Sequence, residues 1–233
     1  MNEHIAKQFD VDLGNIRTRV LQLGGLVEKQ IVQAMAALES GDLEMADHVI
    51  EQDHLVNRHE VELDEACTNI IARRQPTASD LRTIMMVVKT ITDLERIGDE
   101  AKKIAKKARA LHSADTAFKP RVPLQHAAAL AVDMLRKALD AFARTDAAAA
   151  GQIARQDKEV DAEFKAIMRQ LITFMMEDPR TISPALDVLF IAKSIERIGD
   201  HAKNLSEYVV YMAKGRDVRH IGLEGIEQEV GSG

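Results

Sequence analysis

Apolar residues recur every three or four positions over long stretches of the 233-residue chain, the spacing that places them on one face of an α-helix. The first stripe ends before Gly41-Asp42, and Asp42 is a suitable N-cap for a second helix. That helix extends to about Arg74, and a third runs from Asp80 to about Leu111. The stripes of the first two helices contain Leu13, Ile16, Val20, Leu23, Val27, Ile31, Ala34, Leu38, Val49, Val56, Leu63 and Ile70.

The same three-helix pattern returns in the second half of the chain. A fourth helix is predicted from about Val122 to Ala143. The seam of the next helix, meaning its row of core-facing apolar residues, lies 104 positions after the seam of the second helix. The last helix reaches about Ala213. The repeated seam residues are Ile153, Val160, Ile167 and Phe174. Short connections within each unit favour antiparallel neighbours. We therefore predict an all-α fold of two tandem, similar three-helix bundles with six long helices.

The predicted bundles occupy residues 1–114 and 122–214, and a Pro-containing segment from His112 to Pro123 is the predicted linker. The remaining residues, 215–233, are rich in glycine and acidic residues, and we expect this C-terminal tail to fray. Periodicity does not establish whether the two bundles stack end to end or side by side.

The composition of the chain excludes several classes of protein. The formal net charge of −6 provides no basic field for non-specific nucleic-acid binding. The single Cys67 excludes an internal disulfide framework and fits a reducing compartment. Residues 1–10 carry charges and no apolar h-region, and no apolar run reaches about 18 residues, so we expect a cytoplasmic protein without a secretory signal or a membrane span. We find no glycine-rich phosphate loop and no nucleophile with a neighbouring base, and therefore do not predict an enzyme.

An octapeptide occurs twice in the chain. Residues 95–102 recur 101 positions later as residues 196–203, and the two copies differ only at Glu100 and His201. Each copy places two carboxylates four residues apart, on one face of its helix, where like charges repel by a few tenths of a kcal/mol. These carboxylates border the apolar stripe. Because the same repulsive pair of carboxylates occurs twice, we predict that a cation or a basic partner neutralises it at each copy.

Each octapeptide also has a glycine in the middle of its predicted helix. Gly98 and Gly199 each cost roughly 1 kcal/mol relative to alanine at such positions. That cost is understandable if a neighbouring helix approaches closely there. We therefore predict close helix packing beside both motifs.

The second helix of each repeat adds another pair of polar residues four apart. Four oxygen-bearing side chains per repeat, from two helices, are ligands that hard divalent cations or iron accept. The candidate metal ligands are Glu95, Asp99, Asp53 and Asn57 in the first repeat, and Glu196, Asp200, Asp157 and Asp161 in the second.

Ordinary surface ion pairs are the alternative interpretation. A lysine, Lys102 or Lys203, follows the second carboxylate of each motif by three residues, and Arg96 can pair with Glu100. Such exposed pairs contribute about 0–1 kcal/mol. An isolated motif favours this interpretation, whereas the duplication favours a metal site or a docking site. Spacing does not choose between the last two.

A carboxylate-bridged metalloprotein, either a metal buffer or a di-metal enzyme, is a second alternative. Glu51 and His54 have the E-x-x-H spacing of di-iron bundles, but such sites use two of these motifs. The matching position in the second repeat is Lys158, so the histidine is not duplicated. A purely structural helical scaffold is the third possibility.

The doubled E-R-I-G-D-x-A-K motif, the pairs upstream of it and the two helical repeats closely resemble the PhoU family of phosphate-transport regulators. The resemblance extends from Phe9 to His220. It implies two similar three-helix bundles, a homodimer, and metal clusters bound through E(D)-x-x-x-D motifs. The implied ligands are Glu95, Asp99, Glu196 and Asp200, with Asp53, Asp157 and Asp161 in the second motif and Asn57 where an acid would be a better ligand.

The resemblance also implies a regulatory role. PhoU-like proteins link the phosphate-specific ABC transporter to a membrane sensor histidine kinase. When phosphate is plentiful, they keep that kinase from switching on the phosphate-starvation genes. The implied function is therefore a cytoplasmic, non-enzymatic negative regulator that acts through protein–protein contacts.

Overall fold

The computed structural model describes residues 2–113 and 122–231, with side chains from residue 9 onward. Within these ranges the regular elements are helices, and the prediction of an all-α fold with six long helices is confirmed. The predicted linker lies largely at 114–121, outside the described residues. The helices are α1 (Asn2–Ser40), α2 (Leu43–Arg74), α3 (Ala78–Ser113), α4 (Leu124–Arg144), α5 (Ala149–Glu177), α6 (Ile182–Lys214) and α7 (Gly222–Gly231), with a 3₁₀ turn at Pro179–Thr181.

The sequence explains how α2 begins and ends. Asp42 accepts a hydrogen bond from the backbone N–H of Met45 at 2.9 Å, which confirms the predicted N-cap. Gln75 adopts a left-handed conformation at the other end, directly before Pro76, which cannot continue the hydrogen-bonded helix. The predicted seam of this helix, from Val49 to Ile70, is buried in the core.

The C-terminal tail is more ordered than the sequence analysis predicted. Residues 222–231 form α7, which packs against α5, and Ile226 is only 2% exposed. The reason is a short apolar repeat at Leu223, Ile226 and Val230, which covers a small cluster that includes Val218. The expectation of a frayed tail was wrong for this segment.

The two three-helix bundles lie side by side. Helices α1–α3 form one bundle and α4–α6 the other, and the most extensive contact between them joins α3 to α6. Lys107 of α3 pairs with Asp187 near the beginning of α6, whereas Asp93 pairs with His201 farther along. The two central helices are therefore antiparallel. Whether each bundle is an independent domain with the predicted boundaries stays a prediction.

A buried polar cluster lies between α3 and α6. Asp93 is 2% exposed, and its carboxylate accepts hydrogen bonds from the Tyr208 hydroxyl at 2.8 Å and from His201 Nδ1 at 2.7 Å. Glu100 is also buried, and it pairs with Arg197 across the interface at 3.6 Å. Glu100 and His201 are the one difference between the octapeptides, and both positions face the other bundle. Each of the two differing residues thus contacts a polar residue of the other bundle, Glu100 contacting Arg197 and His201 contacting Asp93.

None of the helices in the described part of the chain combines the length and the apolar character needed to cross a bilayer.

Close packing beside the motif glycines is found, although its tightness differs between the repeats. A Cβ at Gly98 would lie 3.2 Å from Val56 Cγ1 of α2 and 3.4 Å from Gln30 Oε1 of α1. A Cβ at Gly199 would first meet Val160 Cγ1 at 3.4 Å, an ordinary van der Waals contact.

We therefore expect Gly199→Ala to raise the free energy of unfolding by roughly 0.5–1 kcal/mol.

The matched Gly98→Ala variant should gain less or lose stability, because Val56 and Gln30 must shift to make room. Urea denaturation of both variants beside the unmodified protein measures the difference. Equal stabilisation by the two substitutions would contradict the unequal packing.

Candidate functional site

The first candidate site lies between α2 and α3. Asp53 of α2 is 4% exposed and faces the motif carboxylates of α3. Lys102 Nζ donates to Asp53 Oδ2 at 2.5 Å and lies 3.9 Å from Asp99 Oδ1. Asn57, one turn after Asp53, donates weakly to the same Oδ2 at 3.4 Å. Glu95 makes no hydrogen bond or ion pair with any residue in the described ranges.

The second candidate site repeats this arrangement between α5 and α6. Lys203 Nζ donates to Asp157 Oδ2 at 2.7 Å, as Lys102 does to Asp53. A further lysine, Lys193, donates to both oxygens of Glu196 at 2.6 and 2.5 Å. Asp161 is half-buried one turn after Asp157 and has no ion pair with the residues described.

Crowded carboxylates shift the protonation equilibrium of Glu95. Burial raises the pKa of Glu95 above its ordinary value, and the negative charges of Asp99, Glu60 and Asp53 raise it further. The hydrogen bond to Asp53, in turn, raises the pKa of Lys102. The α2–α3 site therefore holds more negative charge than its one lysine neutralises.

Asp200 shows the same effect at the α5–α6 site. Burial raises the pKa of Asp200 to about 6, helped by the neighbouring charges of Glu196 and Asp157 and opposed by those of Lys203 and Lys193. A cation close to Asp200 would reverse this shift, because it favours the ionised carboxylate.

The side-chain oxygen atoms of both candidate sites suit a cation that prefers oxygen ligands. They are carboxylate and amide oxygens, and Asp53 Oδ1 is buried without a hydrogen-bond partner. In this structure, however, the cation at each site is a lysine ammonium group. Within the described ranges, no three His, Cys, Asp or Glu side chains are gathered closely enough to hold a metal ion. A metal ion would have to displace the lysine and draw the carboxylates together.

Lys102 and Lys203 do form ion pairs, as the alternative interpretation predicted, but their principal partners differ from those predicted. Lys102 and Lys203 bind most closely to acids on the neighbouring helix, not to the motif carboxylate three residues earlier. Arg96 lies 3.8 Å from Asp93, on its own helix, and the predicted Arg96–Glu100 pair is not formed. Each motif therefore ties two helices together.

Glu207, a buried acid on α6, is not among the residues predicted from the sequence. It is 4% exposed, and burial raises the pKa of its carboxyl to about 7. The only sequence signal is one acid within an otherwise largely apolar run. Its side chain lines a cavity of about 100 Å³ together with Met86, Lys89, Tyr208, Tyr211, Asp217 and Arg219.

Comparisons with known proteins agree with the repeated fold. The family model described as "PhoU domain" matches twice, at residues 20–108 and 124–209. The phosphate-specific transport system accessory protein PhoU of Serratia marcescens is 51% identical over 229 residues, which cover 98% of this chain and 93% of that protein.

Two crystal structures have the same fold. PhoU from Pseudomonas aeruginosa superimposes with a TM-score of 0.85 at 46% identity, covering 89% of this chain and 100% of that one. The phosphate transport system regulatory protein PhoU from Streptococcus pneumoniae superimposes with a TM-score of 0.84 at 31% identity, covering 90% and 99%.

The raised pKa of Glu207 has a consequence for stability. The folded protein takes up a proton at about pH 7 that the unfolded chain binds only near 4.5, so stability falls as pH rises through this window. Glu207→Gln removes the ionisable group. We expect its free energy of unfolding to vary less between pH 5 and 8 and to exceed that of the unmodified protein at the upper end.

Urea unfolding at several pH values tests this expectation. Glu224→Gln, at an exposed glutamate of α7, is the matched control and should preserve the original pH profile. An unchanged profile in the Glu207→Gln variant would refute the assignment.

Proposed function

The chain belongs to the PhoU family, and on that premise we propose that it is a negative regulator of phosphate uptake and phosphate-starvation signalling. In this proposal it is a cytoplasmic homodimer that contacts the phosphate-specific ABC transporter and a membrane sensor histidine kinase. When phosphate is abundant, these contacts keep the kinase from activating its target genes.

The observation that carries the proposal is similarity along almost the whole chain. Both copies of the PhoU domain are present, and relatives described as accessory or regulatory proteins of phosphate transport cover 89–98% of this chain. An accessory protein acts by binding other proteins, and long helices offer extended faces for that purpose. Non-enzymatic regulation is the activity that fits this set of relatives best.

We further propose that the repeated carboxylate sites bind a divalent or iron-type cation in exchange for a lysine. The lysine ammonium groups of Lys102 and Lys203 already occupy the position where positive charge is needed. Their displacement would free two helix-joining side chains on the protein surface. A change in cation occupancy would then alter partner affinity, with a coupling on the order of 1–3 kcal/mol.

A carboxylate-bridged enzyme has less support. Glu51 and His54, whose spacing suggested a di-iron centre, are both exposed on α2 instead of facing the bundle interior. Cys67 is fully buried, and burial raises the pKa of its thiol to about 11, which keeps it protonated and poorly nucleophilic. We therefore favour regulation over turnover.

Alkaline phosphatase activity in a deletion strain tests the regulatory role. In abundant phosphate we expect high activity without the gene, and low activity when a plasmid restores it. The reason is that loss of a negative regulator leaves the kinase active.

A plasmid that carries Glu224→Gln is the control variant, because this exposed residue of α7 lies outside the candidate sites, and it should also restore low phosphatase activity. Low phosphatase activity in the deletion strain itself would contradict the proposed function.

A further inference from the structure

The small cavity beside Glu207 lies where α3, the last third of α6 and the segment after α6 meet. Two residues of α3, three of α6 and two of that segment line it. Its volume of about 100 Å³ equals that of roughly three water molecules in the liquid. Pockets for drug-sized ligands have volumes of roughly 300–1,000 Å³. The cavity is therefore of the size that holds a single small ion.

Glu207 is buried in this cavity without a partner. Its side chain is 4% exposed and makes no hydrogen bond or ion pair with any residue of the described ranges. Leaving a buried carboxyl group unpaired is unfavourable. The internal repeat does not explain its presence, because the residue 101 positions earlier is the exposed Lys106. A ligand that hydrogen-bonds to Glu207 would remove the cost of burying it.

Two cationic side chains line the same cavity. The ammonium group of Lys89 lies 5.7 Å from the centre of the Tyr208 ring, and it has no hydrogen bond or ion pair with a described residue. Arg219 pairs with Asp217 through Nε and Nη2, which leaves its Nη1 group without a hydrogen bond to the residues described. The cavity thus has unpaired N–H donors as well as an unpaired carboxyl group.

Arg219 is held at the cavity before any ligand binds. Val218, the residue before it, is 1% exposed and packs in the small cluster that contains Val210 and Ile226. The backbone N–H of Arg219 also donates to Asp217 Oδ1 at 3.1 Å. A group fixed in this way loses little conformational freedom on binding, which favours affinity.

Cationic donors beside a buried carboxyl group favour one class of ligand. Ammonium and guanidinium groups form strong hydrogen bonds to oxyanions. A carboxylate repels an oxyanion unless that ion donates a hydrogen bond to it. Inorganic phosphate keeps at least one O–H group at neutral pH, whereas sulfate keeps none. A simple cation would pair with Glu207 but would be repelled by Lys89 and Arg219.

We propose that this cavity binds inorganic phosphate, with Lys89 and Arg219 donating to its oxygen atoms and Glu207 accepting a hydrogen bond from its P–O–H group. The inference rests on the proposed regulatory role and deepens it, because the protein would itself respond to phosphate. Tyr208 connects the cavity to the contact between the bundles, since its hydroxyl donates to Asp93 at 2.8 Å.

The tyrosines of the chain provide a direct measurement of binding. The chain contains two tyrosines and no tryptophan, and both tyrosines, Tyr208 and Tyr211, line the cavity. Tyrosine fluorescence is titrated with phosphate or sulfate at constant ionic strength and about pH 8, above the pKa of about 7 of Glu207. Equilibrium dialysis with ³²P-labelled phosphate counts the ions bound. We expect one phosphate per chain and at least tenfold weaker binding of sulfate, which cannot donate to Glu207.

Variants assign the binding to the proposed residues. Lys89→Gln removes one cationic donor and should weaken phosphate binding at least tenfold. Lys106→Gln removes an exposed lysine from the same helix and is the matched control, with unchanged affinity expected. Glu207→Gln provides an amide that can donate to either ion, so the preference for phosphate over sulfate should fall at least fivefold. Circular dichroism and thermal melting show whether each variant is folded.

Several results would overturn the assignment. They are absence of phosphate binding in dialysis, equal affinity for phosphate and sulfate, unchanged affinity in folded Lys89→Gln, or an unchanged preference in folded Glu207→Gln. Glycerol 3-phosphate carries the same group on a larger molecule, and tighter binding of this ester would overturn free phosphate as the ligand. The phosphatase assay in the deletion strain does not measure binding, so failure here is distinguishable from failure of the regulatory role.

Discussion

The antiparallel contact between α3 and α6 is the constraint on which the rest of the molecule depends. It buries the Asp93 carboxylate, and removing such a charge from water costs several kcal/mol unless partners compensate for it. His201 and Tyr208 provide those partners from the other bundle. A shift of one helix along the other would break both of these hydrogen bonds to Asp93. The polar cluster therefore favours a single register among many that apolar packing alone would tolerate.

The two candidate sites lie on these same central helices, each within its own bundle. Each motif occupies a central helix, so the side of α3 or α6 that does not face the other bundle is available to α2 or α5. Lys102 and Lys203 use this arrangement to join their helix to an outer helix through a buried aspartate. The same helices thus carry the bundle interface on one side and the acidic site on the other. Movement of a lysine at one site would act on a helix that also forms the contact between the two bundles.

Much of this fold could be predicted from the sequence, because an amphipathic helix shows its buried face as a local period. The seam from Val49 to Ile70 and the Asp42 cap are local signals of this kind. The bundle interface is different, since Asp93 and His201 are 108 residues apart and no local period joins them. For the sites, the duplicated carboxylates were evident in the sequence, but the pairing of Lys102 and Lys203 with aspartates of a neighbouring helix depends on the fold.

We infer that Asp93 and His201 stabilise the bundle interface together. A double-mutant cycle with Asp93→Ala, His201→Ala and the combined variant, followed by urea unfolding, tests it most directly. We expect the two single losses of stability to sum to more than the loss in the combined variant, with a coupling energy of about 1–3 kcal/mol. Additive effects, with a coupling energy below about 0.3 kcal/mol, would contradict the claim.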